Sequence, residues 1–236
     1  MTELLYHQDS YLTKFEADVT MVSEHGVALD RTAFYPAGGG QPSDQGVLRM
    51  GDQTWRVSNV RRKDGQVWHK VEEEPPEVSS RLEGEIDWKR RYQLMRVHTA
   101  LHILCGVIWR DYGASVTGGN MEPLRARMDF EFETMRRELV DEIEEKINLE
   151  VAAARPVTTA ILPRAEAFEI PDLIRTKINL LPAAIKEVRV VEIEGLDLQA
   201  DGGTHVANTK EVGRIRIVDY KSKGAINKRL VIALDA

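Results

Sequence analysis

Two short stretches of the chain carry side chains of the kinds that bind metal ions. His98 and His102 lie four residues apart in RVHTALHIL, whose apolar spacing is typical of a helix. At this spacing both imidazoles lie on one helix face, one turn apart, so they can bind the same zinc ion. Asp201 and His205 repeat the spacing in DGGTH. Together the four residues would supply three nitrogens and one oxygen, a donor set that suits zinc.

Alternative interpretations of these stretches remain open. The residues between the histidines are Thr-Ala-Leu, so the glutamate base of the H-E-x-x-H peptidases is absent. Cys105 follows on the same helix face, but three ligands from one straight helix would span ~10.5 Å, too far for one tetrahedral ion. A buried apolar role suits Cys105 better. In the loop, Gly202 and Gly203 would let the backbone approach an ion, or would simply form a turn that leaves His205 at the surface.

A second unusual segment is DRTAFYPAGGGQPSDQG, residues 30–46. Its glycine run lacks the Lys-Ser/Thr of a phosphate loop and the G-x-G-x-x-G pattern of a dinucleotide site, so no nucleotide cofactor is expected. One interpretation is a tight turn at the corner of a barrel. The other is that the bare backbone of Gly38, Gly39 and Gly40 admits a bulky ligand, with Gln41 as donor and acceptor.

The elements that must position these residues fall into a β-rich first part and a mixed second part of the chain. Residues 1–87 contain short alternating runs separated by turn residues. Examples are GVALDRTAFY, GVLRM, TWRVSNVRR and QVWHKVE. Several short strands at this spacing suggest a small barrel or sandwich, and we predict a β-barrel domain. Residues 88–236 predict a mixed domain that carries the metal site: a helix over 87–113, a strand over 124–133, and a helix over 134–154 with Thr134 as its N-cap. A strand PVTTAIL, a short helix around 171–178, a strand EVRVVEIEG and a terminal hairpin follow. The predicted fold class is α+β.

The composition of the chain restricts where the protein can work and what it can bind. The 236 residues include one cysteine and carry a net charge of −6, so no intrachain disulfide forms and a cytoplasmic location is expected. No apolar run approaches the ~20 residues of a membrane span. The acidic balance excludes a protein that coats nucleic acid by bulk charge, but local basic clusters such as KSKGAINKR, residues 221–229, leave room for phosphate contacts.

Five segments in order resemble the alanyl-tRNA editing family, which comprises the editing domain of alanyl-tRNA synthetase and its free-standing AlaX-type relatives. These segments are FYPAGGGQPSDQG, RVHTALHIL, ARMDFEF, DGGTHVANTKEVG and YKSKGAINKRLVIAL. The resemblance implies one zinc ion per chain, held by His98, His102 and His205. Asp201 stands where the family usually has a cysteine, so it either coordinates the metal or acts on a bound water.

The resemblance further implies hydrolysis in trans of mischarged Ser-tRNA(Ala), with Gly-tRNA(Ala) left open. It points to Thr32 as the contact that recognises the serine hydroxyl, and it places the basic segment on tRNA phosphates. The residues of that segment are Lys221, Lys223, Lys228 and Arg229. Two alternatives are a non-catalytic tRNA-binding module with a structural zinc and a zinc hydrolase of a small ester or amide.

Overall fold

The computed structural model describes residues 2–175 and 185–236. The chain divides into two compact units, Met1–Gln93 and Leu94–Ala236. The assignment of independent domains to 1–87 and 88–236 stays a prediction. Within the described residues, no helix combines the length and the apolar character needed to cross a membrane.

The first unit is a closed barrel whose strands pair in the order β2-β3-β7-β6-β5-β8. Inward residues of these strands alternate with outward ones, and the inward residues of β2 and β8 include Phe15, Ala17 and Leu82. Gly84 has no side chain because a Cβ there would lie 2.4 Å from the Phe15 ring. The strands are β2 (Lys14–Ser23), β3 (Gly26–Leu29), β5 (Gly46–Met50), β6 (Gln53–Lys63), β7 (Gln66–Val71) and β8 (Arg81–Ile86).

Two short strands, β1 (Glu3–Leu4) and β4 (Arg31–Thr32), pair in parallel and form a separate two-stranded sheet of the first unit. The barrel predicted for this region is confirmed, and the four predicted runs all contain strands. Strands β2 and β8 were not among the quoted runs, although their apolar residues alternate with exposed charged ones as in other half-buried strands.

The second unit contains helix α1 (Trp88–Tyr112) from Leu94 onward, together with two antiparallel sheets. One sheet has the order β14-β15-β10-β9 and the other β11-β12-β13. Their strands are β9 (Val116–Glu122), β10 (Arg125–Glu131), β11 (Val157–Pro163), β12 (Glu187–Ile193), β13 (Asp197–Ala200), β14 (Ile215–Ser222) and β15 (Asn227–Leu234). A closed barrel, further sheets and few helices together confirm the α+β class.

Helix α2 (Arg137–Ala152) packs against β14, where Asn148 accepts a hydrogen bond from the Ile215 N–H at 3.0 Å and donates one to its carbonyl at 2.8 Å. The prediction of Thr134 as the N-cap is wrong: the helix begins at Arg137, because its buried stripe starts only at Val140. The predicted helix at 171–178 is also wrong for residues 171–175, and the rest lies outside the described residues. A short helix, α3 (Arg164–Ala167), precedes it.

Candidate functional site

Helix α1 and the loop after β13 bring the four predicted ligands together. His98, His102, Asp201 and His205 each offer one ligand atom, and these atoms all lie within 4.8 Å of one another. The helix sets the first two residues one turn apart, and their ring centroids are separated by 5.3 Å. The His205 ring lies 4.2 Å from that of His98 and 4.7 Å from that of His102. Sequence spacing therefore predicted a cluster that the fold assembles.

The ring nitrogens in this cluster converge on one carboxylate. The Nε2 atoms of His98 and His102 lie 3.5 and 3.9 Å from Asp201 Oδ2, and His205 Nε2 lies 3.1 Å from Oδ1. The three histidines are buried and the Asp201 side chain is 18% exposed. Three imidazoles and a carboxylate fit the donor preferences of Zn²⁺. These residues therefore could hold such an ion, and the short distances fit a single one.

Burial and neighbouring groups shift the pKa values of three residues in the cluster. Burial opposes the charged form of His102, but bonds to Asp197 and Asp201 outweigh it and raise its pKa to about 9. Burial and the nearby charge of His98 lower the pKa of His205 well below its usual value. Burial would raise the pKa of Asp201, yet attraction to His98 and bonds from the other imidazoles hold it well below its ordinary range. An anionic carboxylate beside imidazoles is the electrostatic environment that a cation requires.

Asp197, which sequence reasoning missed, orients the His102 ring by contacting the nitrogen that faces away from Asp201. Its Oδ2 lies 2.8 Å from His102 Nδ1, and its side chain is completely buried. Arg175 approaches Oδ1 at 2.6 Å, and Gln199 donates to Oδ2 at 2.8 Å. With the Nδ1–H donated to Asp197, Nε2 is left as the nitrogen that faces Asp201. Carboxylates in this position fix the tautomer of metal-binding histidines.

The loop and the third histidine are held by two further residues. Arg189 is buried on β12, and its Nη1 donates to the carbonyls of Asp201 at 3.0 Å and Gly203 at 2.9 Å. Thr99 accepts from the Val206 N–H at 3.2 Å and lies 3.4 Å from His205 Nδ1. A charged residue within the apolar run of β12 was the signal that could have revealed Arg189.

The glycines of this loop act differently from the expectation. Neither Gly202 nor Gly203 has a positive φ. Nothing lies within 4 Å of the position that a Cβ would take at Gly202. The turn depends instead on Asp201, whose Oδ1 accepts the Gly203 N–H at 2.6 Å. Side-chain bonding by Asp201 therefore shapes the loop, without a left-handed backbone.

The other glycine run forms a tight exposed turn in the barrel unit. Gly38 and Gln41 exchange backbone hydrogen bonds of 3.0 and 2.9 Å around Gly39 and Gly40. Both central glycines have positive φ, of 57° and 87°, which a residue with a side chain rarely adopts. Gln41 itself is buried. This geometry agrees with the turn interpretation, and the proposed role of the run in ligand binding stays a prediction.

A buried ion pair anchors the segment that contains this turn. Arg91 and Asp44 are both fully buried and bonded to each other. Asp44 also accepts the Tyr35 N–H at 2.6 Å, and Arg91 donates to the Ala33 carbonyl at 2.6 Å. Sequence reasoning did not single out either residue of the pair. Through these bonds the pair holds Ala33 and Tyr35 on one side of the glycine run and Asp44 on the other. Removing one partner would be costly, because it would leave a buried charge alone.

Thr32 is also fully buried in the barrel unit. Its hydroxyl lies 2.8 Å from His69 Nε2 and accepts the Phe34 N–H at 3.1 Å. His69 Nδ1 lies 3.0 Å from the Val27 carbonyl, so that nitrogen carries the proton. Burial accordingly lowers the pKa of His69 to about 4. The neutral ring accepts the Thr32 O–H at Nε2, which leaves the hydroxyl oxygen as an acceptor.

The predicted phosphate contacts lie on the β14–β15 hairpin. Lys221 and Lys223 are exposed, with side-chain exposures of 60% and 43%. Arg229 pairs with Asp129 through bonds of 2.7 and 2.8 Å. Lys228 is buried, and its ammonium donates to the carbonyls of Gly224 and Ala225 at 2.9 and 2.8 Å. This placement favours a structural role for Lys228 in the hairpin turn.

Comparisons with known proteins match both units. Residues 7–90 match the family of class II (A) tRNA synthetases, and residues 188–231 match the second additional domain of threonyl and alanyl tRNA synthetases. Both matched segments are thus similar in sequence to parts of tRNA synthetases. The alanine–tRNA ligase of Ignicoccus hospitalis is 39% identical over 93% of this chain, although that match spans only 24% of the ligase.

Two full-length relatives are smaller proteins. The alanyl-tRNA editing protein AlaX-M of Saccharolobus solfataricus is 40% identical over 98% of both chains. The AlaX-M protein of Methanosarcina barkeri is 40% identical over 99% of both chains. This chain therefore belongs to the AlaX-M family of alanyl-tRNA editing proteins, and the resemblance inferred from its motifs is confirmed.

Proposed function

We propose that this protein is a deacylase that acts in trans on mischarged tRNA(Ala), hydrolysing the ester of Ser-tRNA(Ala) and leaving Ala-tRNA(Ala) intact. The observation that carries the proposal is the convergence of His98, His102, His205 and Asp201 on one point in a chain of this family. An aminoacyl ester is already activated, so orientation of a water and polarisation of the carbonyl are sufficient help. Gly-tRNA(Ala) is the second substrate to be tested. The work of such an enzyme belongs to the cytoplasm, where tRNA is charged.

The proposal assigns one zinc ion to the cluster. Bound there, zinc would supply Lewis-acid chemistry, which polarises a carbonyl or lowers the pKa of a water. The chain's own part is to hold the ligands in place: Asp197 keeps the proton on His102 Nδ1, and Arg189 keeps the Asp201 loop folded. Asp201, the most exposed of the four side chains, is the ligand nearest to solvent.

A direct test combines chelation with substitution. We expect the protein to release serine from Ser-tRNA(Ala), to act far less on Ala-tRNA(Ala), and to lose activity with a chelator. His102→Ala should lose zinc and hydrolysis together, because it removes one ligand and its support. Asp141→Asn, an exposed carboxylate on α2, is the control. Full activity in His102→Ala would refute the metal's role.

A second candidate is a tRNA-binding module with a structural zinc, which the four possible ligands favour because closed sites leave no position for water. The same assay separates the two functions. If the chelated protein binds tRNA(Ala) less tightly and the intact protein never releases serine, the structural module is correct.

Serine selectivity is assigned to Thr32, together with the glycine turn and Gln41. A site built to bond a hydroxyl rejects the analogue that lacks it, and the Thr32 oxygen retains acceptor capacity. Thr32→Val preserves the shape of the buried side chain but removes the hydroxyl. We expect zinc content to be unchanged and the ratio of kcat/KM for Ser- over Ala-tRNA(Ala) to fall about tenfold or more. An unchanged ratio would show that Thr32 does not select the substrate.

A further inference from the structure

The three-stranded sheet β11-β12-β13 continues into the candidate metal site. The Asp201 N–H donates to the Arg189 carbonyl at 3.1 Å, which extends the pairing of β13 with β12 by one residue. On the other side of β12, Arg189 lies opposite Ile161 of β11. Because residues paired across strands project from the same face, Asp201, Arg189 and Ile161 form one row across the sheet. We call the face on which this row lies the site face.

Helix α1 covers the β13 side of the site face. At Gly106 of α1 a Cβ would lie 2.9 Å from the Leu196 side chain and 3.2 Å from Asp197 Cβ, so the helix and the strand are in close contact. Gln199 of β13 donates to Cys105 Sγ of α1 at 3.3 Å. The helix therefore closes this side of the face to a ligand.

The β11 side of the same face is open to solvent. Val191 of the middle strand is fully buried, but its partner Thr159 on β11 is exposed, and Ile161 is 50% exposed. We call Thr159 and Ile161 the ledge. They belong to VTTAILP, an edge strand without a charged side chain, in a chain of which 30% is charged. Edge strands are commonly protected by charges, whereas charged residues are depleted where a partner binds.

The position of the ledge relative to the cluster fits one nucleoside. Neighbouring strands lie about 4.8 Å apart, so two strand spacings put Ile161 roughly 10 Å from Asp201 along the row. A ligand whose reacting ester lies at the cluster extends towards the ledge, because α1 closes the opposite side. A single exposed isoleucine needs no explanation by itself, but this one lies in line with a candidate metal ligand.

We infer that the ledge binds the terminal base of the aminoacylated RNA, with the flat face of the adenine on the Ile161 side chain. Every tRNA ends in adenosine, and the ester joins the amino acid to the ribose of that nucleotide. The base therefore lies one ribose away from the reacting carbonyl. Bases at unpaired RNA ends are bound by packing their faces on side chains. This inference rests on the proposed function and names the part of its substrate that β11 contacts.

The test uses probes that cannot be hydrolysed, so that binding is measured apart from catalysis. One probe is the seryl amide of adenosine, with nitrogen in place of the ester oxygen, and the other has the same amide on a ribose without a base. Calorimetric titration of the full-length, zinc-loaded protein should show tighter binding of the adenosine probe. Ile161→Ala should weaken that probe about tenfold, because it removes apolar contact area, and should leave the other probe unchanged.

A substitution of opposite sign guards against unfolding as an explanation. Ile161→Phe offers an aromatic ring for stacking, so it should bind the adenosine probe severalfold more tightly, which a misfolded protein would not do. Leu149→Ala and Leu149→Phe, at an apolar residue of α2 that is 62% exposed, are the matched controls.

Two results would overturn the inference alone. If the Ile161 variants change the affinity of both probes alike, the side chain contacts the serine or the ribose and not the base. If they bind both probes like the controls, the base lies elsewhere. In either case serine release from Ser-tRNA(Ala) by the unmodified protein would still support the proposed function. If the unmodified protein releases no serine, the proposed function fails and the inference fails with it.

Discussion

At the scale of single residues, the candidate metal centre depends on groups behind the ligands as much as on the ligands. The Nδ1 atom of His102 lies 2.8 Å from a carboxylate oxygen of Asp197. That carboxylate is buried, and Arg175 and Gln199 contact it. Such outer partners fix ring orientation and increase ligand basicity. If Asp201 binds the proposed zinc ion, this support is more important than it would be beside a thiolate, because a carboxylate oxygen is a harder and weaker zinc ligand.

Substitution of Asp197 tests this support. Asp197→Asn keeps the size of the side chain and an acceptor oxygen but removes the charge behind His102. We expect the zinc dissociation constant, measured by competition with a chromophoric chelator, to rise about 10–100-fold. Asp141→Asn on α2 serves as the matched carboxylate control. A wild-type dissociation constant in a folded Asp197→Asn protein would contradict the role of Asp197.

The tautomer of His102 offers a check that needs no variant. In the zinc-loaded protein, ¹⁵N spectra of the imidazoles should show a protonated Nδ1 on His102, since that nitrogen faces Asp197. A protonated Nε2 would mean that the ring is turned the other way.

At the scale of elements, His69 connects three strands of the barrel unit. It lies on β7 and contacts Thr32 of β4 and the Val27 carbonyl of β3. Burial makes the ring neutral and lowers its pKa to about 4, from 6.5. A proton on Nε2 would remove the acceptor for Thr32, so the pairing of these strands depends on the neutral ring.

This arrangement predicts a loss of stability in mild acid. The unfolded chain binds the proton more readily than the folded one, so the contribution of His69 is complete above pH 6.5 and is lost as the pH falls towards 4. Between pH 7.5 and 5.0 the loss should be about 2 kcal/mol. Denaturant unfolding at both values should show a smaller loss for His69→Gln, and the comparison cancels the titration of the other histidines. Equal losses would contradict a buried neutral His69.

At the scale of the whole molecule, two compact units contain different parts of the proposed machinery. The barrel unit contains the glycine turn and Thr32, while the second unit contains the candidate metal ligands. Family matches fall on both units.

Zinc should therefore stabilise one unit specifically. A ligand that binds only the folded protein adds about 2.7 kcal/mol at a hundredfold excess over its dissociation constant. We expect zinc to raise the unfolding temperature of the second unit, and to protect its amides from hydrogen exchange, without changing exchange in residues 14–86. The effect should be absent in His102→Ala. Equal protection of the barrel strands would contradict this assignment.

Local sequence patterns were sufficient for much of this protein. Helical spacing in RVHTALHIL placed two imidazoles on one face, and alternating runs predicted barrel strands, because both signals depend only on the periodicity of the backbone. The order of the five segments indicated the family, and the full-length relatives confirm it. Local patterns also misled: Thr134 has the chemistry of an N-cap, yet the packing of α2 moved the start of the helix to Arg137.

Only the tertiary structure decided which polar residues serve the site. Asp197 and Arg189 look like ordinary strand residues, and their roles follow from strands that meet helix α1 and the loop far along the chain. Lys228 and Lys221 look alike in sequence, but alternation on β15 buries the former in its own turn while the latter reaches solvent. Spacing along a chain determines which face of an element a side chain occupies. What that face meets depends on the packing of distant elements, which no local pattern encodes.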